Sequence, residues 1–198
     1  NGNTRTNIIE YITIASTGNS IDFGDLSSPV LYLGACSSDT RGLFGGGSTG
    51  SGDGTATNTI NYVTIASVGN SADFGDLTTA RSGVTGCGNA EGGATPYTPP
   101  ALGAAVGVFA GGLSAGALNS SITDYIDIAT TGNASNFGDL LAKTYSLAGC
   151  ASTTRGIFGG GYATGSQNVI QYLTFSSPGS TTDFGDLIAA NYTLTACS

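Results

Sequence analysis

The chain contains no histidine, methionine or tryptophan, and only five of its 198 residues are Lys or Arg. Histidine is the usual catalytic base near neutral pH and the commonest metal ligand, so its absence argues against an enzyme and against a metal centre. Thirteen acidic residues give a formal net charge of -8. That charge argues against nucleic-acid binding, which needs a basic patch, and against anionic membrane surfaces.

Long apolar runs are also missing. No stretch approaches the roughly 20 apolar residues that a membrane-spanning helix needs, and no signal-peptide pattern is present. We therefore expect no membrane insertion. The missing methionine leads us to expect either processing or, more simply, an internal piece of a longer chain.

What the chain does contain is the tetrapeptide Phe-Gly-Asp-Leu in four copies, spaced 51, 63 and 47 residues apart. Each copy follows a strand-like run and a Gly-Asn or Gly-Ser turn, and each precedes a stretch of small residues with one cysteine. This self-similarity indicates a repeat architecture. The copies are Phe23–Leu26, Phe74–Leu77, Phe137–Leu140 and Phe184–Leu187, and the cysteines are Cys36, Cys87, Cys150 and Cys197.

The residue pattern inside a repeat predicts four short β-strands. Thr, Ile, Tyr, Phe and Val on a Gly-rich background are typical of β-structure. Four antiparallel strands in about 50 residues are typical of a propeller blade, so we expect an all-β propeller, or part of a longer one, with almost no helix. The predicted repeats cover residues 1–37, 38–88, 89–151 and 152–198. Around the fourth tetrapeptide, the predicted strands are Tyr145–Cys150, Arg155–Phe158, Val169–Ser176 and Thr182–Ile188.

The phase of the repeats leaves two arrangements open. The chain is predicted to begin at the third strand of one blade and to end on the first strand of another, Tyr192–Cys197, with about fifteen strands in all. Either a four-bladed ring closes with one strand missing, or the chain is an arc of a longer array.

Three residue types recur at equivalent positions. The four phenylalanines are expected to pack between neighbouring blades, because one blade cannot bury its own faces. One cysteine per repeat predicts a small buried hydrophobe and no disulfide, since equivalent positions lie too far apart. The acidic residues around each Phe-Gly predict Asx-turns or, alternatively, calcium ligands. In the four copies the aspartate after the glycine is Asp25, Asp76, Asp139 and Asp186.

These strands and glycines resemble kelch-type propeller repeats. The glycine-ended second strand of a kelch blade matches Gly42–Gly47, Val108–Gly112 and Gly156–Gly161, and its third-strand tyrosine matches Tyr11, Tyr62, Tyr125 and Tyr172. The kelch tryptophan is replaced by the Phe of Phe-Gly-Asp, and the arginine that opens the next blade occurs only as Arg81. The amino-acid sequence of the repeat is similar to that of kelch-like proteins of marine tailed bacteriophages.

One insertion breaks the period. It lies within Gly88–Val106 and carries Tyr97 with Pro96, Pro99 and Pro100. Insertions into repeats often form a binding face. An exposed tyrosine there suggests a sugar-binding loop; a tolerated surface insertion is the alternative, because loop length costs little.

The resemblance and the composition together predict a non-enzymatic virion protein, a tail, fibre or capsid-associated propeller that acts in assembly or host attachment. The alternative is a secreted or cell-surface bacterial propeller that binds glycans or proteins. Expected partners are other virion proteins, copies of the chain itself and a host-surface glycan, with no nucleic acid. No cofactor, metal or catalytic residue is expected.

Overall fold

The computed structural model describes residues 5–50, 55–89, 105–116 and 118–196, and this part of the chain is all-β without an α-helix. Its strands are β1 (Thr6–Tyr11), β2 (Ile21–Val30), β3 (Gly34–Ser37), β4 (Arg41–Gly45), β5 (Thr59–Thr64), β6 (Ala72–Asp76), β7 (Thr85–Gly88), β8 (Val106–Ala110), β9 (Leu113–Ser114), β10 (Leu118–Asn119), β11 (Ile122–Asp127), β12 (Ser135–Asp139), β13 (Ala148–Ala151), β14 (Arg155–Gly159), β15 (Gln167–Thr174) and β16 (Thr182–Asn191).

Most of these strands form antiparallel sheets that follow one another along the chain. Sheet 1 is the pair β1–β2, sheet 2 has the order β3-β4-β5-β6, sheet 3 the order β7-β8-β11-β12 and sheet 4 the order β13-β14-β15-β16. The short strands β9 and β10 form a separate hairpin. The prediction of an all-β fold with repeated four-stranded antiparallel sheets is therefore confirmed.

Glycine pairs end the second strand of each four-stranded sheet and allow a sharp turn beside the next connection. Gly46 and Gly47 follow β4 with φ of +67° and +103°, conformations that residues with a side chain rarely adopt. The turn brings the N–H of Gly47 to the carbonyl of Arg81, at 2.9 Å. Arg81 lies in the connection between sheets 2 and 3, so the turn anchors that connection.

The hydrophobic core lies between successive sheets. One cluster contains residues of sheets 2 and 3, among them Phe74, Phe109 and Ile126. The second contains residues of sheets 3 and 4, among them Phe137 and Phe158. All five residues of β8 are buried because sheet 3 is covered on both faces. Each sheet thus buries its apolar faces only by contact with its neighbours, as repeat proteins do.

Two sequence-based predictions differ from the structure. The predicted strand Tyr192–Cys197 is wrong for its described part, because residues 192–196 form no strand. A strand needs a hydrogen-bonded neighbour, and none of the described residues supplies one there. The hairpin of β9 and β10 was not predicted, since each of these strands has only two residues and no apolar alternation.

Candidate functional site

Each Phe-Gly-Asp segment forms a β-bulge in the last strand of its sheet. In all four sheets the register between the last two strands shifts beside the phenylalanine. The following glycine takes a φ between +142° and +156°. A bulge leaves one residue outside the regular pairing and bends the strand. In this fold it directs backbone groups of the Phe and the Asp toward the next sheet.

These groups bind the turn between the last two strands of the next sheet, and we call this contact the joint. In the joint between sheets 2 and 3, Gly132 donates its N–H to the carbonyl of Phe74, and Ala134 donates to the carbonyl of Asp76, both at 2.8 Å. The N–H of Asp76 in turn donates to Oδ1 of Asn133 at 3.1 Å. The tetrapeptide therefore joins one sheet to the next.

Joints of the same kind connect the other sheets, with one turn N–H bond fewer between sheets 3 and 4. Between sheets 1 and 2, the N–H groups of Gly69 and Ser71 donate to sheet 1, each at 2.8 Å. The N–H of Asp25 donates to Oδ1 of Asn70 at 3.1 Å. Between sheets 3 and 4, the N–H of Thr181 donates to the carbonyl of Asp139 at 2.9 Å. The repeated sequence thus produces a repeated contact and not merely repeated strands.

The glycine of the tetrapeptide is required by this contact. A side chain on Gly75 would overlap the carbonyl oxygen of Gly132 in the opposing turn, and Gly24 and Gly138 face equivalent carbonyls. Only glycine combines such a close backbone approach with this value of φ.

The acidic residues before Phe-Gly have a local role. Oδ1 of Asp22 accepts the N–H of Gly24 at 3.0 Å, and Oδ1 of Asp183 accepts that of Gly185 at 3.2 Å. These contacts support the Asx-turn interpretation. In the described ranges, no three His, Cys, Asp or Glu side chains converge as a metal site would require, so calcium finds no support there.

A buried ion pair lies beside the joint between sheets 2 and 3. Nη2 of Arg81 lies 2.6 Å from Oδ2 of Asp124, and both side chains are fully buried. Nη1 of Arg81 donates to the carbonyls of Gly111 and Ile122, at 2.5 and 2.7 Å. Thr78 donates its hydroxyl to Asp124 at 2.6 Å. Burial lowers the pKa of Arg81, and the nearby Asp124 carboxylate opposes that shift.

Sequence reasoning singled out Arg81 but missed its partner. Counting from the phenylalanine of each repeat, Asp124 occupies the position of Glu10, Asn61 and Gln171. Gln171 is also buried and accepts the N–H of Leu141 from sheet 3, at 2.8 Å. These polar residues recur at one position of strands that are otherwise apolar, and this pattern could have pointed to Asp124.

Equivalent residues of the four repeats also meet at one hollow. The N–H of Gly83 donates to the carbonyl of Tyr32 at 2.7 Å. In the same way, the N–H of Ser146 donates to the carbonyl of Gly83 at 3.0 Å, and the N–H of Thr193 donates to the carbonyl of Ser146 at 3.1 Å. All four residues have positive φ, from +53° to +64°. For residues other than glycine this backbone costs on the order of 1–3 kcal/mol, and such strain clusters at functional sites.

Tyrosines surround this hollow, which we call the tyrosine hollow. Its volume is about 280 Å³, and its lining includes Tyr32, Tyr145 and Tyr192. Tyr162 packs against both Tyr145 and Tyr192, with ring centroids 5.5 Å apart in each case. Tyr32 and Tyr192 are exposed. Sequence reasoning missed this site, although its three lining tyrosines follow the Phe of a Phe-Gly-Asp-Leu copy by eight or nine residues.

The phenylalanines and cysteines that the sequence singled out occupy equivalent places but not equivalent environments. Phe23, Phe74 and Phe137 are buried. The expected burial is wrong for Phe184, which is 54% exposed because no sheet covers it in the described part of the chain. Cys36 and Cys87 are buried, whereas Cys150 is half-buried, contrary to expectation, because it too lies on sheet 4.

The remaining predicted residues divide into two groups. Asp25, Asp76 and Asp139 take part in joints through their backbone, and Asp186 lies at the equivalent place on sheet 4. Cys197 and the loop residues Tyr97, Pro96, Pro99 and Pro100 lie outside the described residues, so their predicted roles stay predictions. Of the inserted segment, Gly88 ends β7, Asn89 follows and residues 105–106 lead into β8.

Comparison of the chain with protein-family models and with curated proteins found no match in either case. Among the described residues there is no helix with the length and apolar character needed to cross a bilayer.

Proposed function

We propose that the chain is a non-enzymatic structural and adhesion module of a bacteriophage virion, built as an arc of a kelch-like β-propeller. The observation that supports a propeller arrangement is the series of backbone hydrogen bonds from Tyr32 through Gly83 and Ser146 to Thr193. Residues at one position of four repeats line one hollow, as expected when sheets are arranged around a common axis. The resemblance of the repeat sequence to the repeats of marine phage proteins supports the assignment to a virion.

A structural role is also supported by where the charged groups lie. Arg81 and Asp124 form a fully buried ion pair that ties the connection between sheets 2 and 3 to strand β11. The aspartates of the repeats serve turns and joints. Four near-copies of one acidic element fit a scaffold better than a catalytic centre, which occurs once.

The tyrosine hollow is the part of this scaffold that best fits adhesion. Tyrosine has a planar apolar face and a polar tip, and it loses little conformational entropy on binding. Rings of this kind suit stacking against a sugar. Surface glycans of the host are therefore the ligand class that we propose for the hollow.

Two experiments test the proposal. Mass spectrometry of purified virions that carry the gene should find the protein; detection only in a bacterial secreted or surface fraction would favour a bacterial binding propeller instead. A glycan array probed with the labelled chain should give signals that Tyr192→Ala reduces at least about tenfold, about 1.4 kcal/mol in binding free energy. Tyr11→Ala, which removes a tyrosine distant from the hollow, is the control.

A further inference from the structure

We propose that sheet 4 binds sheet 1 of a second copy of this chain, head to tail, through the same joint that connects the internal sheets. One side of a joint offers the bulge carbonyls and the N–H of the Asp. The other offers two turn N–H groups and an Asn Oδ1 in two of the three joints, and the N–H of Thr181 with Oγ of Ser180 in the joint between sheets 3 and 4. Sheet 4 has the first half of this contact uncovered, and sheet 1 has the second half uncovered.

The uncovered half on sheet 4 has the same sequence motif and nearly the same backbone conformation as the equivalent halves of the internal joints. Gly185 has a φ of +142°, close to the +146° to +156° of its three equivalents, but no atom lies within 4 Å of the position that a side chain would take. Phe184 and Ile188 beside it are exposed. They form an apolar surface around a bulge that is already in the conformation that binds a turn.

An arginine on sheet 4 is placed for the same contact. Arg41 on sheet 2 lies over the ring of Tyr62 and donates from Nη1 to the carbonyls of Ile128 and Ala129 on sheet 3, at 2.8 and 3.0 Å. Arg155 lies over Tyr172 in the same way, 4.5 Å from the ring centroid. Its side chain is exposed, so a further sheet would provide the carbonyls that Arg41 already finds.

The complementary half lies on sheet 1. The turn Gly18–Asn19–Ser20 is equivalent to Gly132–Asn133–Ala134, and all three of its residues are exposed. Nothing lies within 4 Å of a side-chain position on Gly18. Asn19 is therefore placed to accept the N–H of Asp186 as Asn133 accepts that of Asp76.

Apolar residues beside this turn match buried ones in the internal joints. Counted from the phenylalanines, Ile12 and Ile14 are equivalent to Ile126 and Ile128, which are buried against sheet 2. Ile14 is 95% exposed, whereas Ile128 is fully buried. Sheet 1 supplies only the last two strands of a repeat, so the new joint would form its outer half, where the bulge and the turn lie.

This contact is heterologous, because it joins different surfaces of the two copies, and it therefore produces rings or filaments rather than a symmetric dimer. The inference rests on the structural role proposed above, yet the two can fail separately. A monomeric chain that is still found in virions would overturn the inference and leave the proposed function standing.

The test uses two variants that each disable one half. Phe184→Asp leaves the sheet 1 half intact, and Ile14→Asp leaves the sheet 4 half intact. Analytical ultracentrifugation at about 100 µM, where even micromolar affinities give association, should show oligomers of the wild type and monomers of each variant alone. An equimolar mixture of the two variants should give one defined heterodimer, because each supplies the half that the other lacks.

Leu118→Asp is the matched control, since it charges an exposed apolar residue on the hairpin of β9 and β10. It should leave the oligomers intact, and cooperative unfolding at a concentration too low for association should show that all three variants fold. A monomeric wild type, a mixture that stays monomeric, or an equal effect of Leu118→Asp would each overturn the proposal. A monomeric wild type would leave a flanking repeat of a longer chain as the occupant of sheet 4.

Discussion

The same tetrapeptide has two environments in this molecule. Phe74, in the internal joint between sheets 2 and 3, is 3% exposed, whereas Phe184 on the outer face of sheet 4 is 54% exposed. Each ring packs edge-to-face against a tyrosine of its own sheet, and the ring centroids are 5.9 and 6.0 Å apart. The bulge and the aromatic pair therefore form within one sheet, and burial requires the next sheet. Substitutions at equivalent positions can separate these two contributions.

The largest effect is expected from the buried ion pair, which the described residues form beside only one of the joints. Arg81→Val, which copies the residue at the equivalent position 30, should lower the free energy of unfolding by about 3–5 kcal/mol, because Asp124 is left buried without its cation. Adding Asp124→Asn, which copies Asn61, should restore a large part of that loss in chemical denaturation. If the double variant is as unstable as the single one, the joints are not interchangeable.

A comparable loss is expected from the internal phenylalanine. Phe74→Ala should cost about 3–5 kcal/mol in chemical denaturation, as truncation of other buried aromatic residues does. Below the concentration at which the chain associates, Phe184→Ala serves as the control and should cost less than about 1 kcal/mol, in the range of ordinary surface substitutions. Equal losses for the two variants would show that Phe184 is covered in solution.

Substitutions of Gly185 and Gly75 distinguish the cost of the positive φ from the cost of close approach to the opposing turn. Gly185→Ala should cost about 1–3 kcal/mol, because alanine disfavours its positive φ. Gly75→Ala should show that loss and a further one of about 1–3 kcal/mol from overlap with the opposing turn. Thermal and chemical unfolding of the two variants measure the difference; its absence would argue against the close approach at the joint.

The smallest effect concerns the side-chain acceptor of the joint. Asn133→Ala should cost about 1 kcal/mol, because the N–H of Asp76 loses its partner. Asn19→Ala should change the stability of the isolated chain by less than about 0.5 kcal/mol, since the turn that contains it is exposed. Chemical denaturation below the concentration at which the chain associates keeps the second value free of any contact between copies.

Much of the strand pattern could be predicted because it depends on local sequence. The predicted strand Arg155–Phe158 differs from β14 by one residue, and Val169–Ser176 differs from β15 by two at each end. The predicted strand Tyr192–Cys197 was wrong because a strand also needs a partner, which sequence periodicity does not provide. The tyrosine hollow was missed for a related reason, since its residues come from separate connections between sheets.

The sequence by itself determined the class of the fold and the spacing of its repeated tetrapeptide. Side-chain alternation, glycines and Asx-turns act within a few residues, so their effects can be inferred from the order of the amino acids. The tertiary structure decided which copies of one motif are buried, which polar residues pair and which tyrosines meet. Those outcomes depend on groups from different repeats coming within bonding distance, and only the stacking of one sheet on the next brings them there.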